Sequence, residues 1–135
     1  MDKKENMLKI KQSLTLLYVE DETMVKEASV KSLRRRFKEV YTANDGKEGL
    51  ELYKKYKPDI VLTDILMQAH SGLEMIKQIR EIDKNVLVVV ITALTESIYL
   101  KQAEELGYFV KPLKEEQFLE LLYNLSLGLI NYGND

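Results

Sequence analysis

No cysteine occurs in the 135 residues. That excludes disulfides and thiolate metal sites and fits a reducing, cytoplasmic setting. Histidine occurs once, at His70. It has no partner His or Cys with which to share a metal, and it reads as a solvated loop residue. No stretch approaches the ~18 apolar residues of a membrane span. The opening MDKKENMLKIKQ lacks the apolar centre of a signal peptide. Charge of neither sign dominates: 20 Lys and Arg face 22 Asp and Glu, a net charge of −2. No global field therefore draws the chain to nucleic acid or to a membrane surface. The run Arg34-Arg35-Arg36 falls in the last turn of a candidate helix, where cations offset the helix dipole. No Gly-x-Gly-x-x-Gly or phosphate-binding loop follows the first apolar run, so a nucleotide-binding α/β domain is excluded. Repeats, low-complexity blocks and linkers are also missing, and the length suits one domain with a sizeable core.

What is present is a series of short apolar runs. Residues 14–19, 60–62, 86–91 and 108–110 stand out, with a weaker run at 40–43. NVLVVVIT is β-branched and continuous rather than alternating, as a strand covered on both faces must be. Helical segments are predicted between the runs. Residues 23–37 place Met24, Val25, Ala28, Leu33 and Phe37 roughly on one side. Residues 46–56 offer Leu50 and Tyr53, residues 72–82 offer Leu73, Ile76, Ile79 and Ile82, and residues 95–106 offer Ile98, Tyr99, Ala103 and Leu106. Residues 114–130 offer Phe118, Leu121, Leu122, Leu125 and Leu129. Spacings near 3.6 give each helix one buried face. Asn44-Asp45-Gly46 signals a turn, and Lys57-Pro58 should stop the second of these helices. Five strand–helix units in succession predict a parallel sheet with helices on both faces.

In such sheets ligands bind beyond the carboxyl ends of the strands. The strand ends here carry Glu20-Asp21-Glu22, Thr63-Asp64, Thr92-Ala93 and Lys111-Pro112. Three of these carboxylates (Glu20, Asp21 and Asp64), the Thr92 hydroxyl and the Lys111 ammonium are thus expected at a common rim. Carboxylates about 5 Å apart at an effective dielectric near 20 repel by about 3 kcal/mol per pair. One lysine cannot neutralise three anions, so a divalent cation is the expected remedy, and all-oxygen ligands favour Mg²⁺. The remaining groups suit a phosphoryl ligand. Asp64 is an oxygen nucleophile able to form an aspartyl-phosphate. Lys111 is a flexible point charge for one phosphoryl oxygen, and Thr92 can donate a hydrogen bond to another.

The motifs LLYVEDE, IVLTDILM, GLEMIKQIR, VVVITAL and FVKP, in this order, resemble the receiver domain of bacterial two-component response regulators. The resemblance runs from about Leu14 to Ile130. It implies a flavodoxin-like (βα)5 fold with a five-stranded parallel sheet of order 2-1-3-4-5. It implies that Asp64 is the phosphoacceptor, that Glu20 and Asp21 with Asp64 hold Mg²⁺, and that Leu66 supplies a backbone carbonyl to the metal. Thr92 and Lys111 are then the switch hydroxyl and the phosphate-facing lysine, and Tyr108 is the aromatic switch residue. Lys111-Pro112 is often a cis bond in the family. Two segments depart from the usual pattern: MQAHSG after Asp64, and Gly107 standing directly before Tyr108, which shortens the preceding helix or its exit. Leu66 and Leu94 stand where polar side chains in some relatives assist the attacking water, so slow loss of phosphate is expected.

The function so implied is a phosphorylation-dependent switch, not an enzyme. Its donor is a phosphohistidine on a sensor histidine kinase or a phosphotransfer protein, and its target is a downstream effector or an output domain missing from the chain. A hydrolase of the haloacid-dehalogenase type needs an acid two residues after the nucleophile, where Leu66 stands. The remaining alternative is a receiver-like binding module that no longer takes phosphate. Neither direct nucleic-acid binding nor membrane attachment is expected, and a homodimer is left open. Residues 13–131 read as the receiver, 1–12 as a polar N-terminal extension and 132–135 as a tail.

Overall fold

The aliphatic runs become the strands of one parallel sheet. The structure is a computed structural model, and it describes residues 2–64, 71–91, 105, 108–110 and 115–132. The strands are β1 (Thr15–Val19), β2 (Glu39–Ala43), β3 (Ile60–Asp64), β4 (Leu87–Ile91) and β5 (Tyr108–Val110). They lie in the order β2-β1-β3-β4-β5. The helices are α1 (Lys3–Ser13), α2 (Thr23–Arg34), α3 (Gly46–Tyr56), α4 (Ser71–Ile82) and α5 (Glu115–Tyr132). The helix expected over residues 95–106 lies outside the described residues, except for Glu105, which is helical. The Lys111-Pro112 bond lies outside them as well.

Strand alternation divides the core into two layers. Leu17, Val19, Val61, Val88 and Val90 face α3 and α4, where they meet Tyr53, Leu73, Met75, Ile76 and Ile79. Leu16, Tyr18, Ile60, Leu62 and Val89 face α1, α2 and α5, where they meet Ile10, Val30, Leu33, Phe37, Leu122 and Ile130. Both faces of the inner strands are covered, which is why their sequence does not alternate.

Local chemistry sets the helix ends. The Asp45 side chain accepts from the Glu48 amide at 2.8 Å and caps α3. Lys57 closes that helix in the left-handed conformation, φ 46°, just ahead of Pro58, which cannot continue it. Gly49 lets α3 approach the sheet. A β-carbon there would stand 2.5 Å from Met75 Sδ and 3.0 Å from a Val19 methyl, and both neighbours are fully buried. Gly49→Ala is therefore expected to lower stability by about 1–3 kcal/mol through overpacking. Urea unfolding measures this, and a Met75→Ala background should recover part of the loss as a non-additive coupling.

Two local features differ from the sequence reading. The opening segment is a helix, not just a polar extension. The Asp2 carboxylate accepts from the Glu5 amide at 2.8 Å and caps α1, an Asp-x-x-Glu start signal. In α2 the buried stripe is Val30, Leu33 and then Phe37, while Met24 is 85% and Val25 45% exposed and Ala28 is exposed too. The first turn of α2 begins beyond the end of β1, with no sheet surface beneath it to cover apolar side chains.

α1 and α5 run parallel to one another. Lys3 Nζ pairs with Glu120 Oε2 at 2.7 Å and lies 5.1 Å from the centre of the Tyr123 ring. One turn further on, the Asn6 side-chain amide donates to the Tyr123 hydroxyl at 3.3 Å. At the other end of α1, Lys11 donates to the carbonyl of Arg34, the last residue of α2, and to that of Phe37 just beyond it.

Candidate functional site

The site is set by register. Val19 of β1 pairs with Thr63 of β3, and the next residue on each strand path is an acid, Glu20 and Asp64. Asp64 in turn pairs with Ile91 of β4, and Ile91 with Val110 of β5. Two strand carboxylates are thereby brought side by side at the carboxyl edge of the sheet. This is the position open to ligands in a parallel sheet whose order reverses between β1 and β3.

Glu20 is 6% exposed. Its amide donates to the Ala43 carbonyl at 3.1 Å, and its side chain accepts from the Glu22 amide at 3.2 Å. Burial pushes its carboxyl up to about 7. The Glu22 amide eases that shift, and the charges of Asp64, Asp21 and Glu22 add to it. Asp21 and Asp64 are half-buried, and Glu22 is exposed. Thr63 Oγ1 donates to the Asp64 carbonyl at 3.0 Å, fixing the backbone where β3 ends. Lys26 of α2 donates to the Asn44 side chain and joins the segments that follow β1 and β2.

Of the residues singled out from sequence, Glu20 and Asp64 end neighbouring strands at this rim, and Asp21 directly follows Glu20. Thr92, Lys111 and Leu66 lie outside the described residues, although in the chain Thr92 directly follows Ile91 and Lys111 directly follows Val110. Tyr108 is placed as a backbone position on β5, opposite Val89. His70 also lies outside the described residues.

A residue the sequence reading passed over is Tyr18. It sits under the rim on the α2 side, 3% exposed. Burial raises its hydroxyl's pKa, a hydrogen bond with Ser29 of α2 works against that, and the charges of Glu20 and Asp64 add to it. Strand alternation was the available signal. Tyr18 falls two residues before Glu20, on the face of Leu16, and an aromatic hydroxyl there ends near the acids.

Among the described residues, no three His, Cys, Asp or Glu side chains stand close enough together to hold a metal ion by themselves. The donor chemistry nevertheless fits a hard cation. All the available ligands are oxygens, and the field at Glu20 is one of like charge. Mg²⁺ keeps several of its waters and needs only one or two carboxylates.

A parallel sheet of this order with acids at the β1 and β3 ends defines a receiver-type signalling module. The chain belongs to the response regulator receiver domain family, which it matches over residues 16–123. It is a module of two-component signalling and not an enzyme. It is 27% identical to chemotaxis protein CheY of Halobacterium salinarum over 79% of this chain and 92% of that one. It is 36% identical to CheY of Thermotoga maritima over 62% and 72%. Among solved structures, the N-terminal domain of an uncharacterized protein from Wolinella succinogenes superposes with a TM-score of 0.79 at 33% identity, covering 91% of this chain and all of that one. CheY of Borrelia burgdorferi, solved as a complex with CheX, BeF3⁻ and Mg²⁺, superposes at 0.70 with 30% identity over 83% and 88%.

Proposed function

We propose that Asp64 accepts a phosphoryl group from a phosphohistidine of a sensor histidine kinase or phosphotransfer protein, and that the modified chain changes its affinity for an effector or output domain. The observation that carries this reading is the placement of Glu20 and Asp64 side by side at the carboxyl ends of β1 and β3, in a field that resists a second negative charge. The complete fold in this reading is (βα)5, with residues 13–131 as the receiver and the cytoplasm as its location.

In the transfer, a carboxylate oxygen of Asp64 forms a bond to phosphorus as the nitrogen–phosphorus bond of the donor breaks. The imidazole leaves with the electron pair of that bond and takes up a proton. Glu20, Asp21, Asp64 and the Leu66 carbonyl would hold Mg²⁺, which would supply positive charge to offset that of the phosphoryl oxygens. Thr92 donates a hydrogen bond to one phosphoryl oxygen and Lys111 contributes its charge to another. Tyr108 follows Thr92 as the second part of the switch. Conversion of the Asp64 carboxylate to an acyl phosphate adds about one negative charge and three acceptor oxygens at one rim, the local change such a switch requires. Leu66 and Leu94 offer no polar group to an attacking water, so the phosphoryl group is lost slowly.

The test is direct. The protein is treated with a small-molecule phosphodonor and Mg²⁺, and its intact mass is measured. A gain of about 80 Da, one phosphoryl group, supports the switch. No gain identifies a receiver-like module that acts through protein contacts alone.

A further inference from the structure

A second concavity lies where α1, α5 and the C-terminal end of α2 meet. Its volume is about 240 Å³. Its floor is apolar: Ile10, Phe37 and Leu122 are buried, and Met7, Leu119 and Tyr123 complete it. Its edge carries three cationic side chains, Lys3, Arg35 and Arg36, against the carboxylates of Glu116 and Glu120. Lys3 is committed to Glu120. One Arg36 nitrogen donates to the Ser32 carbonyl at 2.9 Å, which leaves further donors on that planar fork.

The concavity is open to solvent on one side, and its apolar floor is flanked by charged side chains, so a ligand with one apolar face and one charged group matches it. α1 is not held close by its own apolar surface, since Ile10 is its one buried residue and its other ties to α5 are polar. A roof that stands off an apolar floor, with a cationic edge, is the arrangement of a site for an amphipathic anion.

We propose that this cavity binds a small aromatic carboxylate, with its rings on the Phe37–Leu122 floor beside Tyr123 and its carboxylate on the guanidinium groups of Arg35 and Arg36. Arginine matches the planar carboxylate with two parallel hydrogen bonds. The site is independent of the phosphoryl chemistry at Asp64.

The test is a titration of the full chain with naphthalene-2-carboxylate, read by amide chemical shifts, with 2-naphthalenemethanol as the neutral counterpart. The expected result is saturable binding with a Kd below about 1 mM, perturbing Ile10, Phe37 and Tyr123 and sparing Glu20 and Asp64. The double variant R35Q/R36Q should weaken the acid by about tenfold and leave the alcohol unchanged. Leu119→Trp should plug the floor against both; Met7→Trp, at a more exposed position, does the same if the first variant does not fold. No saturation up to about 5 mM, perturbation confined to other regions, or equal losses for acid and alcohol in R35Q/R36Q would overturn the proposal.

Discussion

Asp64→Asn is expected to abolish phosphoryl uptake and, at pH 8, to make the folded protein more stable. The loss of uptake is all-or-none, since asparagine keeps the size of the side chain but not the nucleophilic carboxylate. In intact-mass measurements with phosphodonor and Mg²⁺, the gain of one phosphoryl group should vanish entirely. A gain that persists in the variant would move the acceptor to another residue. The stability gain follows from the field around Glu20, where Asp64 is the strongest of the three charges opposing ionisation. Removing it should be worth about 1 kcal/mol. It should not return the Glu20 carboxyl to its ordinary value, because burial is the larger cause of the shift. Urea unfolding of both proteins at pH 8, without divalent ions, provides the comparison.

The second large effect concerns Glu20 and pH. Its carboxyl is held at about 7 in the folded protein against an ordinary 4.5. The folded state therefore binds that proton more tightly than the unfolded state. This contribution to stability is complete below about pH 4.5 and is lost as pH rises through the window from there to about 7. The full loss amounts to roughly 3 kcal/mol. Glu20→Gln should remove this part of the pH dependence and be more stable than the parent protein at pH 8. A cation at the rim competes with the same proton. In the proposed Mg²⁺ site, affinity should therefore fall by about tenfold between pH 8 and pH 6. Parallel unfolding curves for parent and Glu20→Gln across this range would refute the assignment.

The acids at the rim could be read from sequence because strands buried on both faces end abruptly. Ile60-Val61-Leu62 is too apolar to be anything but interior, so Asp64, just beyond it, had to be at an edge. The bounds of α3 were legible for an equally local reason: Asp45 caps its start and Pro58 forbids its continuation. α1 was not legible as a packed element. Ten of its eleven residues escape burial, and what holds it is a set of polar partners on α5 and α2 that no periodicity reveals. The buried face of α2 was misjudged because spacing alone gives a stripe but not where the sheet beneath it stops. Tyr18 was hidden inside a run that reads simply as strand, and its nearness to the acids depends on which face its position selects.

The parallel course of α1 and α5 fixes where reporter groups can be attached. Lys3 lies beside Glu120, in the first half of a helix of 18 residues, about 27 Å long, that begins just beyond the carboxyl end of β5. A paramagnetic label at residue 2 would thus sit toward the acidic side of the molecule, and one at residue 131 toward the opposite side. Relaxation measured from the two labels would triangulate changes at Asp64 without altering any residue of the rim.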